Sequence, residues 1–379
     1  ILALGYIASF LKKPSEKVIF GALFFLITLL PVLQLIPLGG TLVADRYAYI
    51  PSIGVFYPLA AGFSYFYERA EGCRHPMKKA LLLVLLASVL AASGALTRAR
   101  CGIWKNGMTL WSNALISDPS SAIVYNNLGV ALGKDGRKGE ATLLFRRAIE
   151  IDPRSVDAYN NLGSLYCDLG RNEEARILLR KAIENGPDDA PAYSNLCKAY
   201  FQAGRMQEAL SLCERAITLD PDHAPAHNNL GVIYYSLRVN DKAMASFGKA
   251  LEVDPDYAPA YGNLGSLVFS LGHKGDALVL LKRSIELDPS YAEGHNNLGS
   301  VYAALGHADE AVALFKRAIE LKPDYSAAYG NLSLAYLRAG QYQAAIENYI
   351  KGKALGLVDP SLEEELKRIP TDPGRRPRS

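Results

Sequence analysis

The chain has 379 residues, 50% of them hydrophobic, and its 41 basic and 38 acidic side chains leave a formal net charge of +3. So small a surplus excludes a general nucleic-acid binder, which needs a concentrated basic surface. Five cysteines (Cys73, Cys101, Cys167, Cys197 and Cys213) are too few and too scattered for a disulfide framework. Buried free thiols are the expectation, with one bridge between Cys197 and Cys213 as the weaker alternative, since these two share one repeat of the pattern described below.

Residues 1–10, ILALGYIASF, are already hydrophobic and carry no initiator Met, charged leader or small-residue cleavage site. They read as the inside of a membrane helix in a longer protein rather than as a signal peptide. Three apolar runs follow at residues 18–38, 50–67 and 80–96, each close to the ~20 residues that cross a bilayer. Pro31 and Pro37 fall in the first, where a packed membrane helix tolerates them. A buried soluble helix is the alternative for each run. Residues 1–97 are therefore expected to be transmembrane helices, the C-terminal part of a larger membrane domain. The loop charges suggest an orientation. Lys12, Lys13 and Lys17 precede the first run and Arg69, Arg74, Lys78 and Lys79 precede the third, whereas the loop between holds only Arg46 beside Asp45. By the positive-inside tendency everything beyond residue 96 is then periplasmic or lumenal, against the opposing pull of Arg98, Arg100 and Lys105.

Residues 98–121 read as a connector and half repeat: Trp111, Ala114 and Pro119 match a second helix without a first. From residue 122 to 359 the chain repeats every 34 residues without insertion. Leu recurs at 128, 162, 196, 230, 264, 298 and 332, and Ala at 141, 175, 209, 243, 277, 311 and 345. Pro153, Pro187, Pro221, Pro255, Pro289 and Pro323 close six units, and Pro360 stands three places late, just past the seventh. Within a unit, Tyr159, Leu162, Gly163 and Tyr166 share helical spacing, Gly170 marks a left-handed turn, and the Ala with a following large residue (Ala311, Phe315) fills the gap from a second helix. Arg238 replaces the turn Gly, and Cys197 and Ser333 replace the small Gly.

This pattern resembles the tetratricopeptide repeat (TPR), a helix–turn–helix unit stacked into a solenoid, over about two-thirds of the chain. The resemblance implies an all-α fold: N-terminal transmembrane helices followed by a TPR α-solenoid of seven full repeats, with the preceding half repeat and a C-terminal capping helix at residues 360–369. Ser361 and Glu364 read as the capping box of that helix. Residues 370–379, with Arg375, Arg376 and Arg378, read as a disordered tail.

Each unit also places an Asn inside its first helix, in five of the seven directly after a second polar residue, although Asn is a mediocre helix former. The residue before each conserved-spacing Leu is Asn127, Asn161, Asn195, Asn229, Asn263, Asn297 or Asn331. One step around a helix turns about 100°, so this Asn points away from the buried Leu. In a TPR solenoid that is the concave wall. The column looks like that of the O-GlcNAc transferase superhelix, a resemblance that implies capture of an extended polypeptide backbone. Alternatively each amide bonds the neighbouring repeat and tightens the stack. Replacing a groove-facing amide leaves stability intact; replacing a stack-holding one does not. The residues before these asparagines (Asn126, Asn160, Ser194, Asn228, Gly262, Asn296, Gly330) are uncharged. TPR domains that clamp a terminal carboxylate carry Lys there, so a neutral, sequence-tolerant groove is expected. No catalytic or metal-binding constellation and no cofactor is expected in the repeats. His227 and His295 stand at a packing position, and Pro225 separates His223 from His227.

The stretch LPVLQLIPLGGTLVADRYAYIPSIG at residues 30–54 resembles the transmembrane-and-TPR O-mannosyltransferases through Pro37, Gly39, Asp45, Arg46, Tyr49, Pro51, Ser52 and Gly54. That family joins a GT-C type membrane glycosyltransferase to lumenal or periplasmic TPRs. The resemblance implies a polyprenyl-phosphate sugar donor, a polypeptide acceptor and a membrane setting. Arg46 is the candidate for the lipid phosphate, pairing with Asp45 being the alternative. The family's acidic catalytic residues lie in an early loop with no counterpart here, so the chain itself is expected to be non-catalytic. A membrane-anchored, non-catalytic TPR scaffold is the second function class.

Overall fold

The computed structural model describes residues 105–368 together with positions 84 and 88. The apolar runs at residues 18–38, 50–67 and 80–96 lie outside these apart from those two positions, as do Arg46 and residues 370–379. Among the described residues no helix is long and apolar enough to cross a membrane. The chain divides at Trp104 into two units, of which the second is described here by itself.

Sixteen α-helices and no strand make up the described residues. A single helix, α1 (Gly107–Ser117), precedes seven antiparallel pairs. The pairs are α2 (Ala122–Lys134) with α3 (Lys138–Ile151), α4 (Val156–Asp168) with α5 (Asn172–Asn185), α6 (Ala190–Gln202) with α7 (Met206–Leu219), and α8 (Ala224–Ser236) with α9 (Asn240–Val253). They continue as α10 (Ala258–Ser270) with α11 (Lys274–Leu287), α12 (Ala292–Leu305) with α13 (Ala308–Leu321), and α14 (Ser326–Arg338) with α15 (Tyr342–Ala354), before a last helix α16 (Pro360–Lys367). The first helix of each pair is called A and the second B.

The pairs form because each B helix brings one Ala to the A helix at zero exposure, at every position from Ala141 to Ala345 in the 34-residue series. Beside it, a large B side chain presses on a small A residue. A Cβ added at Gly129, Gly163, Gly231, Gly265 or Gly299 would lie 2.6–2.7 Å from Phe145, Leu179, Phe247, Leu281 or Phe315. Two repeats solve this contact differently. In the seventh, Ser333 takes the small place and its hydroxyl donates to the carbonyl of Ala345 at 2.7 Å. In the third, Cys197 and Cys213 occupy both places and are joined by a disulfide. That corrects the expectation of free thiols there: the exchange of a Gly and a large residue for two cysteines sets their Cα atoms 5.5 Å apart, within bridging range. Cys167 is free and buried, and burial lifts its thiol to about 11.

Between A and B the chain turns through a left-handed residue, Gly in six repeats but Arg238 at φ 62° in the fourth. A non-Gly residue there costs about 1 kcal/mol, which the packed pair on either side sustains. Every A helix also packs on the next A helix, whereas no two B helices pack to a comparable extent. That shorter spacing curves the stack with the A helices on its concave side.

Both ends of the array are closed by local chemistry. Asn106 and Thr109 form a reciprocal capping box at the start of α1, which lays Met108, Trp111 and Leu115 against the core. At the other end the N-cap of α16 is Asp359, which accepts from the Leu362 amide at 3.0 Å. The expected Ser361 box is thus corrected: Pro360 is the residue suited to the first helical position, and Ser361 instead donates to Asp359 at 2.6 Å. Leu362 and Leu366 then bury against Ala345 and Tyr349.

The Gly contact generates a paired expectation. Gly231→Ala puts a methyl 2.6 Å from the Phe247 ring and should lower stability by about 1–3 kcal/mol. Gly248→Ala, inside exposed α9 with nothing within 4 Å, should raise it by about 0.5–1 kcal/mol. Urea unfolding of the full chain followed by circular dichroism checks both signs.

Candidate functional site

All seven asparagines of the column are half-buried on A helices, and their amides are engaged in a regular way. Nδ2 of Asn161 donates to Oδ1 of Asn126 at 3.0 Å. Asn195 donates to Asn160, Asn263 to Asn228 and Asn331 to Asn296, each at 2.9 Å. Asn229 donates to the hydroxyl of Ser194 at 3.2 Å and to its carbonyl at 3.1 Å. The amides therefore do tie each repeat to the one before. In all five Oδ1 has no partner among the described residues; four spend one N–H across the repeat boundary and keep a second, whereas Nδ2 of Asn229 serves two acceptors. Asn297 departs from the rule, because the residue at its acceptor place is Gly262.

The acceptors in this ladder were not singled out from the sequence as such. They are the uncharged residues immediately before each Asn, and the legible signal is an offset of 35 residues, one repeat plus one step. Asn126, Asn228 and Asn296 are buried, at 5–7% exposure, so each Oδ1 needs the bond it accepts.

A groove of about 490 Å³ runs along the A helices of the second to sixth repeats, with Lys138 of the first at its edge. Asn228, Asn229 and Asn263 bring amides to it, and Phe201, Tyr257 and Tyr291 bring apolar area. The other asparagines of the column do not line it. Asn127 instead faces a second depression of about 430 Å³ beside Met108 and Trp111, at the start of the array. Burial pushes the Tyr257 hydroxyl up to about 12 and raises that of Tyr291 further, so both remain neutral hydrogen-bonding groups near pH 7.

Two of the groove's lysines are paired, while Lys138 and Asp288 line it without an ion pair among the described residues. Lys198 meets Asp168 at 2.7 Å and Lys322 meets Glu293 at 2.8 Å. Burial lowers the Lys322 pKa, but the hydrogen bond and charge of Glu293, with Asp324 and Asp168, outweigh it and leave the pKa raised. Asp168 belongs to the second repeat and Lys322 closes the sixth, yet both line one groove, so its two rims face each other electrostatically. His227 and His295 are buried and donate from Nε2 to the carbonyls of Pro221 at 2.8 Å and Pro289 at 3.0 Å, fastening the loop before each A helix. No group of residues suited to hold a metal ion occurs among the described residues.

Known proteins resemble the chain at two levels. The tetratricopeptide repeat family matches residues 109–156, 134–199, 200–264 and 290–354, and its TPR repeat form matches 269–306. Protein O-mannosyl-transferase Tmtc1 of Drosophila melanogaster is 30% identical over 128 residues, 34% of this chain and 14% of that protein. Protein O-mannosyl-transferase TMTC4 of Homo sapiens is 30% identical over 121 residues, 32% of this chain and 16% of that protein. The matches thus span a small part of these relatives' length. Among solved structures, a chain of the APC/C hetero-tetramer Cut9-Hcn1 superposes with a TM-score of 0.56 at 19% identity, covering 69% of this chain and 51% of that one, a likeness of fold alone.

The ladder sets a stability expectation. Asn263→Ala leaves the buried Oδ1 of Asn228 without its bond and should destabilise by about 1–3 kcal/mol, more than the better helix propensity of Ala returns. Thermal melting of the full chain reads it.

Proposed function

Because the chain belongs to the tetratricopeptide repeat family, we propose that it binds extended polypeptide along the groove of its A helices. The observation that carries this reading is the column of half-buried amides whose Oδ1 atoms, at every rung but Asn297, have no partner among the described residues. A peptide backbone offers N–H groups at regular spacing, and acceptors in a regular column match them without reading side chains. Neighbouring helices pack about 8–10 Å apart, so rungs two helices apart meet an extended chain of ~3.3 Å per residue every third residue or so. The paired charges of the groove favour a neutral, sequence-tolerant ligand.

The parent function we infer is that of a membrane-anchored protein O-glycosyltransferase of the GT-C type, O-mannosyltransferase-like, whose solenoid presents acceptor protein. Its support is the partial identity to Tmtc1 and TMTC4 and the loop around Asp45 and Arg46. In this reading residues 1–97 anchor the chain, Arg46 holds the phosphate of a polyprenyl-phosphate sugar, and no residue of this chain performs the transfer. The Cys197–Cys213 bridge supports a periplasmic or lumenal solenoid, because disulfides persist in oxidising compartments.

Two measurements test these readings. A fluorescein-labelled Ser/Thr/Ala/Gly peptide of about twenty residues, long enough at ~3.3 Å per residue to pass several rungs, should bind the detergent-solubilised full chain saturably. Its backbone N-methylated counterpart should bind at least about tenfold more weakly; equal binding of the two would falsify backbone capture. A reporter fused after Pro153 should behave as exported, and cytoplasmic activity there would overturn the orientation.

A further inference from the structure

Helix α1 packs on α2 as each B helix packs on the A helix that follows it, but its outward surface is unlike theirs. Each B helix carries three to six Asp, Glu, Lys or Arg side chains, and α1 carries none. The difference is sharpest at two positions. At the 34-residue period Asn113 corresponds to a Lys or Arg in all seven repeats, from Arg147 to Lys351. Ile116 corresponds to a Glu in five of them, from Glu150 to Glu320. In those five the two residues close an ion pair along the helix, as Lys181 does with Glu184 at 2.6 Å and Arg317 with Glu320 at 3.0 Å. Helix α1 replaces the pair with an amide and an isoleucine that is 81% exposed. Ile123, on the far side of the turn into α2, is 62% exposed.

This exposure is not left by a missing neighbour in the stack. Glu150 and its four counterparts are exposed although their helices pack on an A helix to each side. Their position faces out of the solenoid, so an A helix laid on α1 would not cover Ile116. Met108, Trp111 and Leu115 already make the contacts with the array. Stripping charge from a surface is favourable where that surface leaves water, and exposed apolar side chains there mark a contact with something else. The chain itself says what is near. Ten residues, 97–106, separate α1 from the apolar run that ends at residue 96, and ten extended residues reach at most ~35 Å. Among them are Arg98, Arg100 and Lys105, a basic flank suited to lipid phosphates.

We propose that the outward face of α1, centred on Ile116, rests in the headgroup–acyl boundary of the bilayer and holds the start of the solenoid at the membrane surface. The ion pairs of the later repeats then mark surface that stays in water. This inference rests on the reading that residues 1–97 anchor the chain, and adds where the solenoid itself touches lipid.

The test uses the full chain with Cys73→Ser and Cys101→Ser, since Cys167 is buried and Cys197 and Cys213 are bridged. An environment-sensitive dye is attached at Ile116→Cys or, for comparison, at Glu286→Cys. Each is reconstituted in vesicles of phosphatidylcholine and phosphatidylglycerol, with and without bromine on the acyl chains. An interfacial helix sits about 5–10 Å into the boundary, so the dye at 116 should lose about half of its emission or more to the bromines, and the dye at 286 almost none. No quenching at either position, in a chain that floats with the vesicles after alkaline carbonate extraction, would overturn the lipid contact and leave the anchor standing. Equal quenching at both would overturn it too, because ion-paired repeats would then meet lipid equally. A dye at 116 that is shielded without quenching, increasingly so at higher protein concentration, would assign the face to a second copy instead. A chain that does not float would overturn anchor and contact together.

Discussion

The close approach of helix A to helix B is the constraint on which everything else in the solenoid depends. It is made by one small residue against one large one, at separations where a single added methyl meets a ring or a leucine at 2.6–2.7 Å. Because this contact recurs in the same place of each unit, the pairs are near-identical bodies, and identical bodies in identical contact generate a regular curve. The two exceptions preserve the geometry by other means. Cys197 and Cys213 convert the contact into a covalent bond, and Ser333 converts it into a hydrogen bond to the Ala345 carbonyl. A stack of this kind is stabilised by the sum of its repeats and of their neighbour contacts, so one local solution does not disturb the next.

From that regularity follows the amide ladder. Residues 35 apart meet only if successive A helices keep one translation and one rotation, and the rungs at 2.9–3.0 Å show that they do. The same amide then has two sides. One N–H is committed to the stack, at about 0.5–1.5 kcal/mol net per bond, and the oxygen remains on the concave wall. At Asn297 the stack bond is missing, because Gly262 has no side chain to accept it.

The charges of the groove are largely held in pairs that join neighbouring elements. Two of its three lysines, Lys198 and Lys322, are matched by carboxylates at 2.7 and 2.8 Å. Such half-exposed pairs add little stability, about 0–1 kcal/mol, and Lys138 and Asp288 remain in the lining outside any ion pair among the described residues. Cys197 also lines this groove, so the disulfide fastens its third-repeat wall from behind.

Much of this was legible in the sequence. The helix pairs, their boundaries near Pro and Gly, the buried Ala series and the small–large contact are all written in residues a few places apart or one period apart. Helix formation and pair packing are local, so periodicity alone is enough to specify them. The direction of Asn161 relative to Leu162 was likewise legible, because it needs only the 100° step of a helix. What that Asn bonds was not. Whether its amide meets residue 126 or solvent depends on the distance between repeats, which no single unit contains. The same holds for Cys197 and Cys213, whose bridge depends on the A–B separation, and for the cap of α16, where Asp359 rather than Ser361 is placed by the arrival of the chain from α15. The missing partner of Asn297 is a Gly that anyone can read at position 262; that a tyrosine ring fills its place is decided by packing. The sequence by itself determined the repeating unit and the face on which its polar column lies. Tertiary structure alone decided which atoms of that column are spent on the stack and which are left for a ligand, because hydrogen bonding between repeats is a property of their spacing.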